Sequence, residues 1–411
     1  MIKRRKLCVV ITARPSYSRI KSTLSAIQKH PLLQLQIVLA GPALLNKFGN
    51  VDNILHDDGF VVNERVYTVL DGENLTSMAK TVGIGLVELS NVFYKLKPDM
   101  VMVIADRFET ISVSIAAAYQ NIPLVHIQGG EVTGSIDEKV RHANTKFADI
   151  HLVCSPHARK TVIKLGEDPS YVFNTGCPSI DLAVEVIKKP KLNFNPYLKY
   201  GGSGGAPDYK KGYLVVMQHP VTTEFNEAKM QVEETLQAIR VLNKPTFWFA
   251  PNADAGTDAL SLTIRKFRNA NKLSNVHFFD NMIPADFLKL VINSECLVGN
   301  SSMGIRECSF MGVPVVNIGS RQQGRERGFN IIDVGHDKTA IVEAVKRWQQ
   351  QERPTRSYVY GKGDAGRQMA DVLATIPLRN SKILQFQDEK PVHNSSPVRI
   401  ERSTRKKYKA A

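Results

Sequence analysis

The segment "GNSSMGIRE", Gly299 to Glu307, runs small polar residues into a helical pattern. Such a turn offers free backbone N–H groups and the positive end of a helix dipole, which suits a phosphate or pyrophosphate. Glu307, one turn further on, would repel phosphate and suits sugar hydroxyls such as a ribose diol. Arg14 and Arg321 supply positive charge from distant parts of the chain. Together these residues describe a site for a nucleoside diphosphate.

Other groups able to do chemistry recur at the ends of apolar runs. "TARPSYS" carries Arg14 and Ser18, and "DRFET" carries Asp106 and Arg107. "HIQGGEVTGSIDEKVRH" carries His126, Gln128, Glu131, Asp137, Arg141 and His142. In the second half, "MQHPVTTE" places His219, "APNADAG" places Asn252 and Asp254, and "GSRQQGRERG" places Arg321 and Arg325. Each has an ordinary structural role open to it: Asp106 as a helix cap, His219 as a satisfied histidine, Ser301 and Ser302 as N-cap residues, Arg325 to Arg327 as a solvated charge cluster. Their recurrence in both halves argues for one shared site, because open parallel sheets bind ligands at the carboxyl ends of their strands. Rival signatures are weak or missing. "GIGLVE" (83–88) lacks the third glycine of a dinucleotide fingerprint and lies in a helical pattern, and there is no phosphate-loop lysine motif or nucleophile elbow. The histidines between His126 and His151 do not share one helix face, so no zinc site is expected.

The elements that would position these residues alternate throughout. Buried strand-like runs such as "LCVVI", "LQLQIVLA", "MVMVIA" and "PLVHIQ" are separated by helical patterns, which predicts α/β architecture with doubly wound parallel sheets. The alternation stops near residue 190 and restarts at "YLVVMQ". We therefore expect an N-terminal Rossmann-like domain over 1–190 and a linker or inserted loop over 191–212. A C-terminal Rossmann-like domain over 213–362 would hold the nucleotide. A helix over 363–378 would cross back to the first domain, and a basic, disordered tail would follow over 379–411.

Composition narrows the class. The 411 residues are 43% hydrophobic and 23% charged, and no apolar run is long enough to span a bilayer. The basic start leads into a first strand rather than a signal peptide, so a cytoplasmic location is expected. Five scattered cysteines read as reduced core thiols. The net charge of +15 raises nucleic acid as a partner, but much of it sits in the two ends, as solvated tails often do. A moderately basic body suits a phosphorylated substrate, with no nucleic acid and no membrane as partner.

Taken in order, "ARPSYS", "ADRFE", "GGEVTGSIDEKVRHANTK", "GCPSID", "QHPVTTE", "PNADAG", "GNSSMGIRE", "GVPVVNIGSRQQGRERG" and "YGKGDAG" resemble the hydrolysing UDP-N-acetylglucosamine 2-epimerases over roughly residues 7–376. The resemblance implies two Rossmann-like domains facing across a cleft, as in glycosyltransferase-B folds. It places nucleotide contacts on Arg14, Ser18, Arg107, His219, Asn252, Met282, Ser301, Ser302, Glu307 and Arg321. It places acid/base candidates on Asp106, Gln128, Glu131 and Asp137, with His126 and His219 nearby. It also implies a UDP-N-acetyl-sugar substrate, no cofactor or metal, and a homodimer or homotetramer. Family members commonly carry His-Gly where this chain has Ile104 and Ala105, and many carry Glu at Gln128. An amide moves no proton at neutral pH, so Gln128 is expected to position a group on the sugar. A related UDP-sugar of the 2,4-diacetamido-6-deoxy type, a non-hydrolysing epimerase, a glycosyltransferase and a non-catalytic sensor remain as alternatives.

Overall fold

The first strand, β1 (Arg5–Ile11), lies at the centre of a parallel sheet because both its faces are apolar. A computed structural model describes residues 4–46, 50–70, 75–132, 136–251, 257–271, 273–379 and 381–385. Among these, the first sheet is completed by β2 (Leu33–Ala40), β3 (Glu64–Val66), β4 (Met100–Ile104), β5 (Leu124–Ile127), β6 (Ile150–Val153) and β7 (Val172–Asn174), in the order β3-β2-β1-β4-β5-β6-β7. All its pairings are parallel. Order reverses on either side of β1, so the carboxyl ends of β1 and β4 flank a natural crevice.

The second sheet contains β8 (Ser203–Gly204), β9 (Leu214–Met217), β10 (Thr246–Phe249), β11 (Val276–Phe279), β12 (Cys296–Gly299), β13 (Val315–Ile318) and β14 (Ile331–Val334), in the order β14-β13-β12-β9-β10-β11-β8. Its switch point falls between β9 and β12, whose ends carry His219 and the "GNSS" turn. Among the described residues only β8 runs antiparallel, against β11. It belongs to the segment expected to be a linker. That segment instead packs on the second domain: Asn195 caps a short helix at Pro196–Tyr200, and the rings of Tyr197 and Tyr209 meet Phe247 at 5.8 and 5.6 Å.

The helix Arg14–Lys29 follows β1 and accepts Pro15 in its first turn, where the missing N–H has no helical partner to lose. It buries Tyr17, Ile20, Leu24 and Ile27, a helical stripe. Against it lies the helix Ala365–Thr375, which crosses back from the second domain and adds Ala365, Met369, Ala370 and Leu373 to the first core. Its start is fixed by Asp181, which accepts the N–H groups of Ala365 and Gly366 at 3.0 and 2.8 Å. Its end is capped by Arg5, whose guanidinium donates to the carbonyls of Leu373 and Ile376. Arg5 therefore has a structural partner and is not part of a solvated basic end.

The tail also begins later than residue 379. Arg379 pairs with Asp168 at 2.8 Å and stacks over Tyr171. Lys382 pairs with Glu167 and donates to the carbonyls of Thr145, Lys146 and Ala148, closing the end of the helix Ile136–Phe147. Residues 386–411 lie outside the described residues. "GIGLVE" sits within the helix Leu75–Leu96, where a Cβ on Gly85 would meet Ser112 Oγ at 2.8 Å; close helix packing is its role.

Candidate active site

A cleft of about 670 Å³ opens between the carboxyl ends of the two sheets. Its lining includes Arg14, Ser18 and Arg107 from the first domain. From the second come His219, Met282, Ser301, Ser302, Glu307 and Arg321. These residues were expected to contact the nucleotide, and the fold brings them to one wall-to-wall site. Asn252 lies outside the described residues.

The cleft has two characters. Phe249, Met282, Phe287 and Leu288 form an apolar side of the kind that holds a planar base. Toward the other end stands the "GNSS" turn. Ser301 caps the turn by accepting from the Met303 N–H at 3.4 Å, while Asn300 accepts from the His219 N–H and donates to its carbonyl. Arg321 donates to the Asn300 carbonyl at 3.2 Å, which fixes its guanidinium beside the same turn. The helix here differs from the expected one. It runs only from Ser302 to Ile305, breaks at Arg306, and resumes as Glu307–Met311. An anion at this turn would thus meet local N–H groups and guanidinium charge more than a long helix dipole.

Glu307 follows the break. Its Oε2 is buried and has no hydrogen-bond partner in the protein. Burial raises its carboxyl above the ordinary value, although Arg306 and Arg19 oppose that rise. Ser179 also bonds this carboxylate, and because Glu307 lines the cleft a ligand hydroxyl is the natural donor to its unpartnered oxygen.

Sequence reasoning missed Arg19, one turn after Arg14. It lines the cleft and reaches from Gln128 Oε1 at 3.4 Å to Ser302 Oγ at 3.5 Å, spanning both domains. The i, i+5 spacing from Arg14 gave no sign of it. Gln128 also donates to Cys177 Sγ at 3.3 Å, and Cys177 lies within hydrogen-bonding reach of Cys154 and Ser179. The two thiols, far apart in sequence, thus meet behind the cleft.

The carboxylates sit around the first-domain strand ends and are not among the cleft's described lining residues. Asp106 precedes the cleft residue Arg107 and pairs with the buried Arg141. Asp137 is half-buried in the first turn of the helix Ile136–Phe147. Glu131 is buried between Arg306 and Arg325 of the second domain. Burial alone would raise its carboxyl, but these two guanidinium groups outweigh it and hold it below the ordinary value. His126 is fully buried, with Nε2 donating to the Ala105 carbonyl at 2.9 Å and Nδ1 3.1 Å from Thr145 Oγ1. Burial pushes it down to about 3, so it stands neutral at a position that supports the strand end.

That support matters because Ala105 and Gln128, at the ends of neighbouring strands β4 and β5, have φ of 58° and 65°. Left-handed geometry at non-glycine residues costs about 1–2 kcal/mol each and concentrates at functional sites. Gly130, two residues on, has φ 78°, and a Cβ there would lie 2.3 Å from the Ala158 carbonyl. Gly130→Ala is expected to lower unfolding free energy by more than about 2 kcal/mol, read by chemical denaturation. An unchanged midpoint would mean that the turn has another accessible path.

Two parallel-sheet domains facing across such a cleft define the glycosyltransferase-B-like class. The chain belongs to the UDP-N-acetylglucosamine 2-epimerase family, whose model matches residues 25–374. It is 31% identical over 380 residues to the hydrolysing UDP-N,N'-diacetylbacillosamine 2-epimerase of Legionella pneumophila, covering 92% of this chain and 98% of that protein. It is 33% identical over 351 residues to a polysialic acid biosynthesis protein of Escherichia coli, covering 85% and 87%. The crystal structure of UDP-GlcNAc 2-epimerase from Neisseria meningitidis bound to UDP-GlcNAc superposes with a TM-score of 0.73 at 18% identity, covering 90% of this chain and 99% of that one. Among the described residues, no helix is long and apolar enough to cross a membrane.

Proposed function

We propose that the chain is a hydrolysing UDP-N-acetyl-sugar 2-epimerase, converting UDP-N-acetylglucosamine and water to N-acetylmannosamine and UDP. The buried, unpartnered Oε2 of Glu307 carries the reading, because a carboxylate there suits a ribose diol beside the Ser301–Ser302 turn and the cleft's arginines. Names of relatives support the hydrolysing branch, and two of them concern a diacetylated sugar, which makes a 2,4-diacetamido-6-deoxy donor the second reading.

The chemistry follows from the substrate. The C2 proton of a ring N-acetylhexosamine is not acidic, since no carbonyl adjoins C2. Cleavage of the C1–O bond changes this. The bonding pair leaves with UDP, whose growing charge is met by Arg14, Arg19, Arg321, His219 and the Ser301–Ser302 turn. Positive charge then builds at C1 and the ring oxygen. A carboxylate takes the C2 proton, and the C2–H pair becomes the C1=C2 bond of a glycal. Water next adds its oxygen to C1, and a proton is delivered to the opposite face of C2, giving the free 2-epimer. We assign these proton transfers to Asp106 and Asp137. Gln128, buried and bonded to Arg19 and Cys177, orders the arginine near the leaving phosphate and moves no proton.

The reading is tested by incubating the protein with a panel of UDP-N-acetyl sugars and resolving the products. Free UDP with a free 2-epimeric sugar is expected. Recovery of a UDP-linked 2-epimer, or release of UDP only when an acceptor sugar is added, would overturn it.

A further inference from the structure

Of the three carboxylates expected to move protons, Glu131, in the turn after β5, least resembles a proton donor or acceptor. Its side chain is only 4% exposed and contacts two guanidinium groups from the other domain, Arg306 at 2.5 Å and Arg325 at 3.5 Å. Arg306 occupies the break between the two short helices, between the phosphate-side Ser302 and the buried Glu307. Arg325 follows Arg321 on the loop after β13. One first-domain carboxylate is therefore hydrogen-bonded to Arg306 and ion-paired with Arg325, on the two second-domain loops that carry Ser302 and Arg321.

The surroundings make this a packed joint. Beside it, Ser155 donates to Glu326, and the Tyr360 hydroxyl donates to the Glu326 carbonyl at 3.0 Å. The space left among Gly130, Glu131, Ser155, Arg325 and Tyr360 is about 10 Å³, room for one water at most. Charges buried this deeply hold together strongly only as a set, because removing one partner strands the others.

We propose that Glu131, Arg306 and Arg325 form an interdomain brace, making Glu131 a positioning residue that sets the closed spacing of the two domains around the UDP-sugar. This deepens the epimerase reading and rests on it. Spacing governs whether Arg19 and the Ser302 turn can act on one phosphate while the first-domain strand ends reach the sugar.

The test compares UDP affinity by calorimetry with KM and kcat for UDP release in wild type, Glu131→Gln, Arg325→Met, Arg325→Lys and the double variant Glu131→Gln/Arg325→Met. If wild type releases no UDP from any UDP-sugar, the epimerase reading fails and the calorimetry alone addresses the brace. Under the brace, Glu131→Gln and Arg325→Met each weaken UDP binding and raise KM by about 10-fold or more, while kcat falls much less. The double variant is no worse than the worse single one, because both ends of the same pair are gone. Arg325→Lys, which keeps the charge, retains most of the affinity, and the Arg325 pair carries the test should Glu131→Gln fail to fold. A collapse of kcat in Glu131→Gln with unchanged UDP affinity would overturn the brace and return Glu131 to proton transfer. Additive losses in the double variant, or Arg325→Met binding UDP as wild type, would also overturn it.

Discussion

Asp137→Asn is expected to lower turnover by about 10²- to 10⁴-fold while leaving UDP affinity near that of wild type. Asp137 lies half-buried in the first turn of its helix, where the backbone N–H groups favour a carboxylate. The amide keeps the shape and one acceptor oxygen but removes the negative charge and the ability to take or give a proton. Asp106 is the less clean probe. It pairs with Arg141, whose side chain is 1% exposed, and Asp106→Asn would leave that guanidinium without its counter-charge. Loss of turnover there would mix folding with chemistry. Near-normal UDP release by Asp137→Asn, measured beside calorimetric UDP binding, would move the proton transfers to another group.

Glu307→Ala is expected to weaken UDP binding by about 10- to 150-fold, the equivalent of losing a hydrogen-bonded contact to a charged group. The carboxylate is buried with Oε2 open, so its cost is already present in the unliganded protein and ligand hydroxyls offset it. The effect must reside on the ribose. Wild type should therefore bind 2′,3′-dideoxy-UDP much more weakly than UDP, whereas Glu307→Ala should hardly distinguish them. If the variant still prefers the diol as strongly as wild type does, the ribose is bound elsewhere and the orientation of UDP in the cleft must be reversed.

Most of the architecture was legible because buried parallel strands announce themselves. "MVMVI" became β4 with all five residues buried, and the restart at "YLVVMQ" marked the second sheet. The edge strands were not legible. β3 is three residues long and partly polar, β14 is short, half-buried and interrupted by Asp333, and β8 consists of Ser203 and Gly204, so none produces a long apolar run. The role of residues 191–212 was missed for a related reason. Its tyrosines pack on Phe247 through spacing set by loops, which no periodic pattern encodes.

At the site, Arg14, Ser18, Arg107, His219, Ser301, Ser302, Glu307 and Arg321 did converge on the cleft, since strand direction carries them there, whereas Asp106, Glu131 and Asp137 stand outside its described lining. Partnerships across domains did not show. Arg306 looked like one more charge in "GIRE", and Arg325 like part of a solvated cluster, yet both are buried against Glu131. The strained turns at Ala105 and Gln128 were equally silent, because neither residue type signals a left-handed backbone. Two residues of one turn thus face different partners: Gln128 accepts from Arg19, and Glu131 pairs with Arg306 and Arg325 of the other domain.

In the proposed reaction C1–O cleavage precedes exchange of the C2 proton, and water enters the sugar. Running the reaction on UDP-N-acetylglucosamine, or on the best donor of the panel, in deuterated water enriched in oxygen-18 tests it directly. Deuterium at C2 and oxygen-18 at C1 of the free 2-epimer are expected, with none of the heavy oxygen in UDP. Oxygen-18 in the β-phosphate of UDP, or a released sugar with protium retained at C2, would contradict it.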